Sequence, residues 1–98
     1  MRLLADAGGY CSEHFHRYRH NLFIVHRGIL RVRVETGPDS WDEHILTAGS
    51  QLLVDAGIFH QFDAHTDVVC DEIYYPKNGS YIDMDDIVRR TEGGRRCV

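Results

Sequence analysis

His14-Phe15-His16 and, much later in the chain, Gly49-x5-Asp55-x-Gly57-x2-His60 are the two stretches that decide the fold. Side chains alternate faces along a β-strand, so histidines two residues apart share one face and can reach a single ion. Phe15 and the run 22–25 are strand formers that show no helical stripe. Three imidazoles from two strand-like segments therefore predict a closed β-barrel that holds a divalent metal in its interior.

The composition describes one small acidic domain of 98 residues and 11.3 kDa, with 43% hydrophobic residues. Lys and Arg total 11 against 15 Asp and Glu, a net charge of −4, so the chain lacks the basic surface that a phosphate backbone requires. Asp6 comes too early for a signal peptide, and no apolar run approaches the ~18 residues of a membrane helix. We expect a cytoplasmic protein with neither nucleic acid nor membrane as a partner.

The cysteines do not form a recognisable framework. Cys11, Cys70 and Cys97 are odd in number and lack C-x-x-C spacing, which argues against a disulfide scaffold and against a structural zinc site. We expect buried or free thiols.

Turn signals divide the chain into about eight strand candidates. They are residues 2–6, 10–16, 21–26, 30–35, 41–47, 51–55, 58–64 and 68–75. The first is expected at a sheet edge. Arg27-Gly28 is expected to close one hairpin and His65-Thr66-Asp67 to close another.

The C-terminal part shows a different pattern. Between Asp83 and Arg90, apolar residues recur at helical spacing, an N-cap residue comes first and arginines come last, which predicts a short helix. Residues 91–98 have little apolar content and are predicted as a frayed tail. The domain is accordingly placed at residues 1–90.

Gly8-x5-His14-x-His16-x4-Asn21-x6-Gly28, together with the His60 motif, resembles the two conserved-barrel motifs of the cupin superfamily, over about residues 8–76. Such families are jelly-roll β-barrels of six to eight strands that hold a metal with two His and a Glu from the first motif and one His from the second. The resemblance implies an all-β fold, a single cupin jelly-roll barrel, with His14, His16 and His60 as ligands of one divalent ion, Fe, Mn, Ni or Zn.

The chain departs from that pattern at three positions. Asn21 stands where Glu is usual, and Asp55 and Ala64 replace a Pro and an Asn. An amide oxygen is a neutral, weaker ligand than a carboxylate, so metal affinity should fall. Asn21 is assigned as a ligand or as a neighbour of a metal-bound water, and His20 could replace it only if a bulge changed the strand phase. A barrel that has lost its metal is the remaining alternative.

A second, shorter likeness covers Glu72 to Tyr75, residues 79–81 and residues 85–91, and is similar to the tail of cupin domains that accompany sugar-acid synthases and handle carbohydrates. Glu72 and Tyr74 are therefore candidate substrate-binding residues. If they face inward, Glu72 could act as a general base. If they face outward, Glu72 is a solvated strand residue.

Two functions remain open from the sequence. One is a metal-binding cupin that acts on a small polar, sugar-like molecule by dioxygenation or metal-assisted isomerisation, because three neutral ligands leave coordination positions open. The other is a non-catalytic module that binds a carbohydrate or another small ligand. An exposed edge strand and a small core also predict a homodimer. The remaining histidines, His26, His44 and His65, are expected at the surface.

Overall fold

The computed structural model describes residues 1–77 and 82–94, which contain nine β-strands. The strands are β1 (Arg2–Ala5), β2 (His14–Phe15), β3 (Arg19–Arg27), β4 (Leu30–Gly37), β5 (Ser40–Leu46), β6 (Gln51–Val54), β7 (His60–Ala64), β8 (Val68–Pro76) and β9 (Val88–Arg89). Each of the eight predicted strand regions overlaps an observed strand, although the region 10–16 contains only the short β2.

The strands form two antiparallel sheets, in the orders β1-β8-β3-β6 and β5-β4-β7-β2-β9. The predicted all-β fold is therefore confirmed, and β1 lies at a sheet edge as expected. The prediction of a closed barrel is wrong, because no strand pairing within the described residues joins one sheet to the other. Strand edges remain at β1 and β6 in one sheet and at β5 and β9 in the other.

Alternating side chains from both sheets meet in one apolar core. Its buried members are Leu3, Ala5, Phe23, Val25, Leu30, Val32, Leu46, Val54, Phe62, Ala64, Val68 and Cys70. The opposite faces of the strands are polar or partly exposed, as at Arg31, which forms an ion pair with Asp63 at 2.6 Å.

The two predicted hairpins are wrong, because at both turns the chain passes from one sheet to the other. β3 and β4 belong to different sheets, and so do β7 and β8. The two crossings meet at Gly28, whose φ is +89° and where a Cβ would overlap the Asp67 carbonyl oxygen. Only glycine fits this backbone and this close approach.

The predicted helix over residues 83–90 is also wrong. Asp83 begins a turn in which its carbonyl accepts the Asp86 amide at 3.1 Å, and the chain then extends into β9. β9 pairs with β2, Val88 opposite Phe15 and Arg89 opposite His14. Strand pairing thus satisfies the backbone in a segment too short for a stable isolated helix.

The described part of the predicted tail contacts the sheet. The Thr91 hydroxyl accepts the Glu13 amide at 2.9 Å, and Gly94 forms a two-bond bridge with Tyr10. The boundary at residue 90 stays a prediction, and Cys97 and the likeness over 79–81 lie outside the described residues. Within the described ranges, no helix has the length and apolar character needed to cross a membrane.

Candidate metal centre

Three histidines converge at one end of the interior. His14 on β2 lies directly opposite His60 on β7, and His16 follows the last residue of β2. The ring centroids are 4.5 Å apart for His14 and His60, 5.0 Å for His14 and His16, and 5.6 Å for His16 and His60. One ring nitrogen from each residue lies within 4.8 Å of the other two.

Backbone carbonyls fix the orientation of all three rings through Nδ1. The Nδ1 atom of His14 lies 2.7 Å from the Ser12 carbonyl, that of His16 lies 2.6 Å from the Asp86 carbonyl, and that of His60 lies 3.0 Å from the Ile58 carbonyl. A carbonyl can only accept, so each Nδ1 carries the proton and each Nε2 keeps its lone pair. This is the arrangement found in metal-binding histidines.

Two buried acceptors at this end have no protein partner within the described part of the chain. They are Nε2 of His60, on a residue that is 1% exposed, and Oδ1 of Asn21, on a residue that is 2% exposed. Buried polar atoms are nearly always hydrogen bonded, and one left without a partner costs free energy. A cation held by the three histidines would satisfy Nε2 of His60, so the donor set fits a divalent metal ion.

Asn21 points inward from β3, in the sheet that faces the three histidines. Arg19, Asn21, Phe23 and Val25 alternate inward along this strand. His20 points the other way, where its Nδ1 accepts the Ala56 amide at 2.9 Å. The observed strand phase is the one that the alternation predicted, and Asn21 rather than His20 faces the interior.

Burial keeps the three imidazoles neutral. Desolvation, assisted by the nearby Arg19 charge, lowers the pKa of His16 to about 4 and the pKa of His60 to about 3, and it also lowers the pKa of His14. Neutral imidazole is the form that binds metal. At neutral pH, a cation would therefore not have to displace protons from these rings.

Glu72 and Tyr74 also face the interior, beside this cluster. Glu72 is 6% exposed, and one of its carboxylate oxygens accepts the Tyr74 hydroxyl at 2.6 Å. Burial raises the pKa of Glu72. The Tyr74 ring lies next to the histidines, with its centroid 6.3 Å from that of His16. Of the two orientations that the sequence left open for Glu72, the structure shows the inward one.

Two buried residues of the site were not predicted. Arg19 lies two positions before Asn21 on the same strand face, so its inward direction could have been derived from strand alternation alone. The Asp86 carboxylate accepts the Arg17 and Tyr18 amides at 2.9 and 2.8 Å, and its carbonyl holds His16. The local sequence did not predict the contact of Asp86 with His16, because the spacing of residues 83–90 predicted a helix.

A cavity of about 620 Å³ lies beside His14 and His16. Its lining includes His14, His16, Arg19, Glu72 and Tyr74, and Arg89 and Glu92 also contribute. A small polar molecule could therefore reach the histidines. The other histidines lie elsewhere: His26 contacts Asp71 at 2.8 Å, His44 lies on β5, and His65 is exposed.

Comparison with known proteins agrees with this architecture. A family model described as a cupin domain matches residues 2–73. No curated protein matches the chain.

Several solved structures share the fold at low sequence identity. KdgF from Halomonas sp. is 18% identical with a TM-score of 0.63, over 76% of this chain and 66% of that chain. Oxalate decarboxylase from Bacillus subtilis is 11% identical with a TM-score of 0.75, over 91% and 22%. The capsular polysaccharide assembling protein CapF from Staphylococcus aureus is 17% identical with a TM-score of 0.71, over 92% and 25%. The chain spans between about a fifth and two thirds of these neighbours, and the likeness concerns the fold alone.

Proposed function

This chain belongs to the cupin domain family, and we propose that it is a metal-dependent cupin whose ion is held by His14, His16 and His60. The observation that carries this proposal is the set of three rings fixed through Nδ1, with their Nε2 atoms left to converge. Asn21 is the proposed fourth position, as a direct oxygen ligand or as a partner of a metal-bound water. Imidazole donors suit Fe, Ni and Zn among the common divalent metals.

A small polar molecule is the proposed substrate, bound in the cavity at the open coordination positions. When bound, a divalent ion supplies Lewis-acid polarisation of a carbonyl or hydroxyl oxygen. Because the protein ligands are all neutral, they would leave the charge of that ion undiminished.

Glu72 favours proton transfer over dioxygenation as the reaction. The carboxylate faces the cavity and is oriented by the Tyr74 hydroxyl at 2.6 Å. A buried carboxylate beside a polarised carbonyl can remove a proton from the adjacent carbon and return it elsewhere, which is a metal-assisted isomerisation. Isomerisation cannot proceed without such a base, whereas dioxygenation does not always need one.

The alternative is a module that binds a small ligand without converting it. The observation that favours this alternative is the neutral Asn21 at the position where the family's motif has Glu. The loss of an anionic ligand weakens metal affinity, but it does not remove the capacity to bind a polar molecule.

Solvent deuterium exchange separates these two functions. We would incubate Zn²⁺-loaded protein in D2O with dihydroxyacetone and, separately, with hydroxypyruvate, which has the same hydroxyketone group and also a carboxylate, and follow loss of the carbon-bound proton by NMR. The proposal predicts exchange above the buffer rate, reduced by about a hundredfold in Glu72→Gln, with Zn²⁺ affinity unchanged. Glu43→Gln, on the exposed face of β5, is the matched control. Exchange at the buffer rate in the Zn²⁺-loaded wild type would favour the binding module.

A homodimer remains part of the proposal. Strand edges such as β1 are free to pair, and apolar side chains are exposed on the sheets, including Leu4, Ile45 and Leu53 at 46%, 50% and 53%. Pairing of two copies would cover them. Sedimentation at micromolar concentration should give twice the chain mass, and a monomer mass would contradict this part of the proposal.

A further inference from the structure

We infer that the ligand of this cavity carries a carboxylate, which the Arg19 guanidinium binds. The inference deepens the proposed function, on which it rests for the location of the site. It starts from a buried arginine that the metal-binding proposal does not use.

Arg19 is a buried cation with no acidic partner in direct contact. It is 5% exposed, and no carboxylate lies within 4.0 Å of its nitrogens in the described ranges 1–77 and 82–94. Glu72 and Asp86 interact with the Arg19 charge through space, but neither carboxylate contacts it, and buried charged side chains are almost always in direct pairs in folded proteins. A ligand that brings a negative charge would supply this direct partner.

Only some of the hydrogen-bond donors of the Arg19 guanidinium have a partner. Nη1 donates to the Asp83 carbonyl at 3.0 Å and lies 3.5 Å from the Met84 sulfur, whereas Nε is buried without a partner. A guanidinium offers its donors as a planar fork that matches the two oxygens of a carboxylate. Arg19 lines the cavity, so a ligand bound there would lie beside this guanidinium.

Stacking holds Arg19 in place before any ligand arrives. Its guanidinium carbon lies 4.1 Å from the centroid of the Tyr74 ring, and Tyr74 is held in turn by Glu72. A side chain fixed in this way loses little conformational entropy on binding, which favours affinity and selectivity.

The charge balance of the interior leads to the same ligand class. Of the buried residues at this end, His14, His16, His60 and Asn21 are neutral, and Glu72 and Asp86 supply at most two negative charges against Arg19 and the proposed divalent ion. With that ion bound, the site would keep a net positive charge, which a carboxylate would compensate and a neutral sugar would not.

Arg19 could instead serve only to anchor the turn at Asp83 and Met84 through Nη1. A purely structural role predicts that substitution lowers stability and weakens all ligands equally. A role in recognition predicts a loss that is confined to carboxylates.

The test compares glycolate with glycolamide, a neutral analogue of similar shape, by calorimetric titration of Zn²⁺-loaded protein. Wild type should bind glycolate at least tenfold more tightly than glycolamide. Arg19→Gln should weaken glycolate binding by about ten- to a hundredfold while changing glycolamide binding by less than about threefold. Arg27→Gln, an exposed arginine at the opposite end of the same strand, should change neither. Arg19→Lys, which keeps the charge but loses the fork, should give an intermediate loss and replaces Arg19→Gln if that variant does not fold.

Equal affinities of wild type for the two probes, binding of neither probe, or equal losses for both probes in the Arg19 variants would overturn the inference. A wild type that binds no Zn²⁺ would contradict the proposed function instead. In that case, the same titrations on metal-free protein decide the carboxylate inference separately.

Discussion

The two ends of the interior are built on the same strands but differ in chemistry. At one end, the inward side chains of β3, β7 and β8 are polar: Arg19, Asn21, His60, Glu72 and Tyr74. At the other end, they are apolar: Phe23, Val25, Phe62, Ala64, Val68 and Cys70. We refer to these two sets as the polar end and the apolar end.

The difference separates stability from function. The buried side-chain atoms without a hydrogen-bond partner in the described part of the chain all lie at the polar end, on Arg19, Asn21 and His60. The apolar end carries no such cost and contributes the hydrophobic burial. The apolar end thus stabilises the fold. The unpaired polar atoms at the polar end lower its stability, and a ligand bound there would offset that loss.

The largest effect expected from the comparison is on stability, at the apolar end. Phe23 is fully buried, with its ring centroid 6.1 Å from that of Phe62. Phe23→Ala should lower the free energy of unfolding by about 3–5 kcal/mol, because it leaves a cavity in a packed core. Urea denaturation measures this change, and a loss below about 1 kcal/mol would mean that the apolar end is not the stabilising one.

The polar end should instead make the stability of the metal-free chain depend on pH. The pKa of His16 is lowered to about 4 and that of His60 to about 3 by burial, whereas unfolded histidine titrates near 6.5. Between pH 6.5 and 5 the unfolded chain takes up protons that the folded chain does not, so the free energy of unfolding decreases as the pH is lowered, by about 2–4 kcal/mol over this range.

Variants at the two ends should separate in this pH dependence. Denaturation of metal-free protein at pH 7, 5.5 and 4 should show a reduced slope for His60→Ala, whereas Leu30→Ala, in the apolar core opposite Ala64, should keep the wild-type slope. A wild-type stability that is constant over this range would contradict the lowered pKa values.

Strand alternation explains which parts of the site could be predicted from the sequence. Side chains two apart share a face, so the convergence of His14 with His16 and the inward direction of Asn21 followed from local spacing. The sheet that each strand joins is a non-local property, and the turns at Gly28 and at residues 65–67 were therefore misassigned as hairpins. The prediction of a helix over residues 83–90 was wrong for the same reason. This segment pairs with β2, and its Asp86 carbonyl accepts a hydrogen bond from His16, which is distant in the sequence.

The smallest effect concerns Asn21, and it sharpens the comparison within the polar end. Asn21→Glu introduces an anionic ligand and should tighten divalent metal binding by about 1 kcal/mol or more. Asn21→Ala should weaken binding modestly, and His20→Ala should leave it unchanged because His20 faces outward. Titrations with Fe²⁺, Mn²⁺, Ni²⁺ and Zn²⁺ measure these differences. Equal affinities for wild type and Asn21→Glu, with a loss only in His20→Ala, would assign the fourth position to His20.

The central claim is that three convergent histidines at the polar end hold one metal ion. The most direct measurement is competitive titration of metal-free protein with Zn²⁺ against a chromophoric chelator, for wild type, His14→Ala, His60→Ala and the exposed control His65→Ala. Wild type and His65→Ala should each bind one equivalent with equal affinity, whereas His14→Ala and His60→Ala should bind more than a hundredfold more weakly. Failure of the wild type to bind Zn²⁺, or an equal loss in His65→Ala, would contradict the claim.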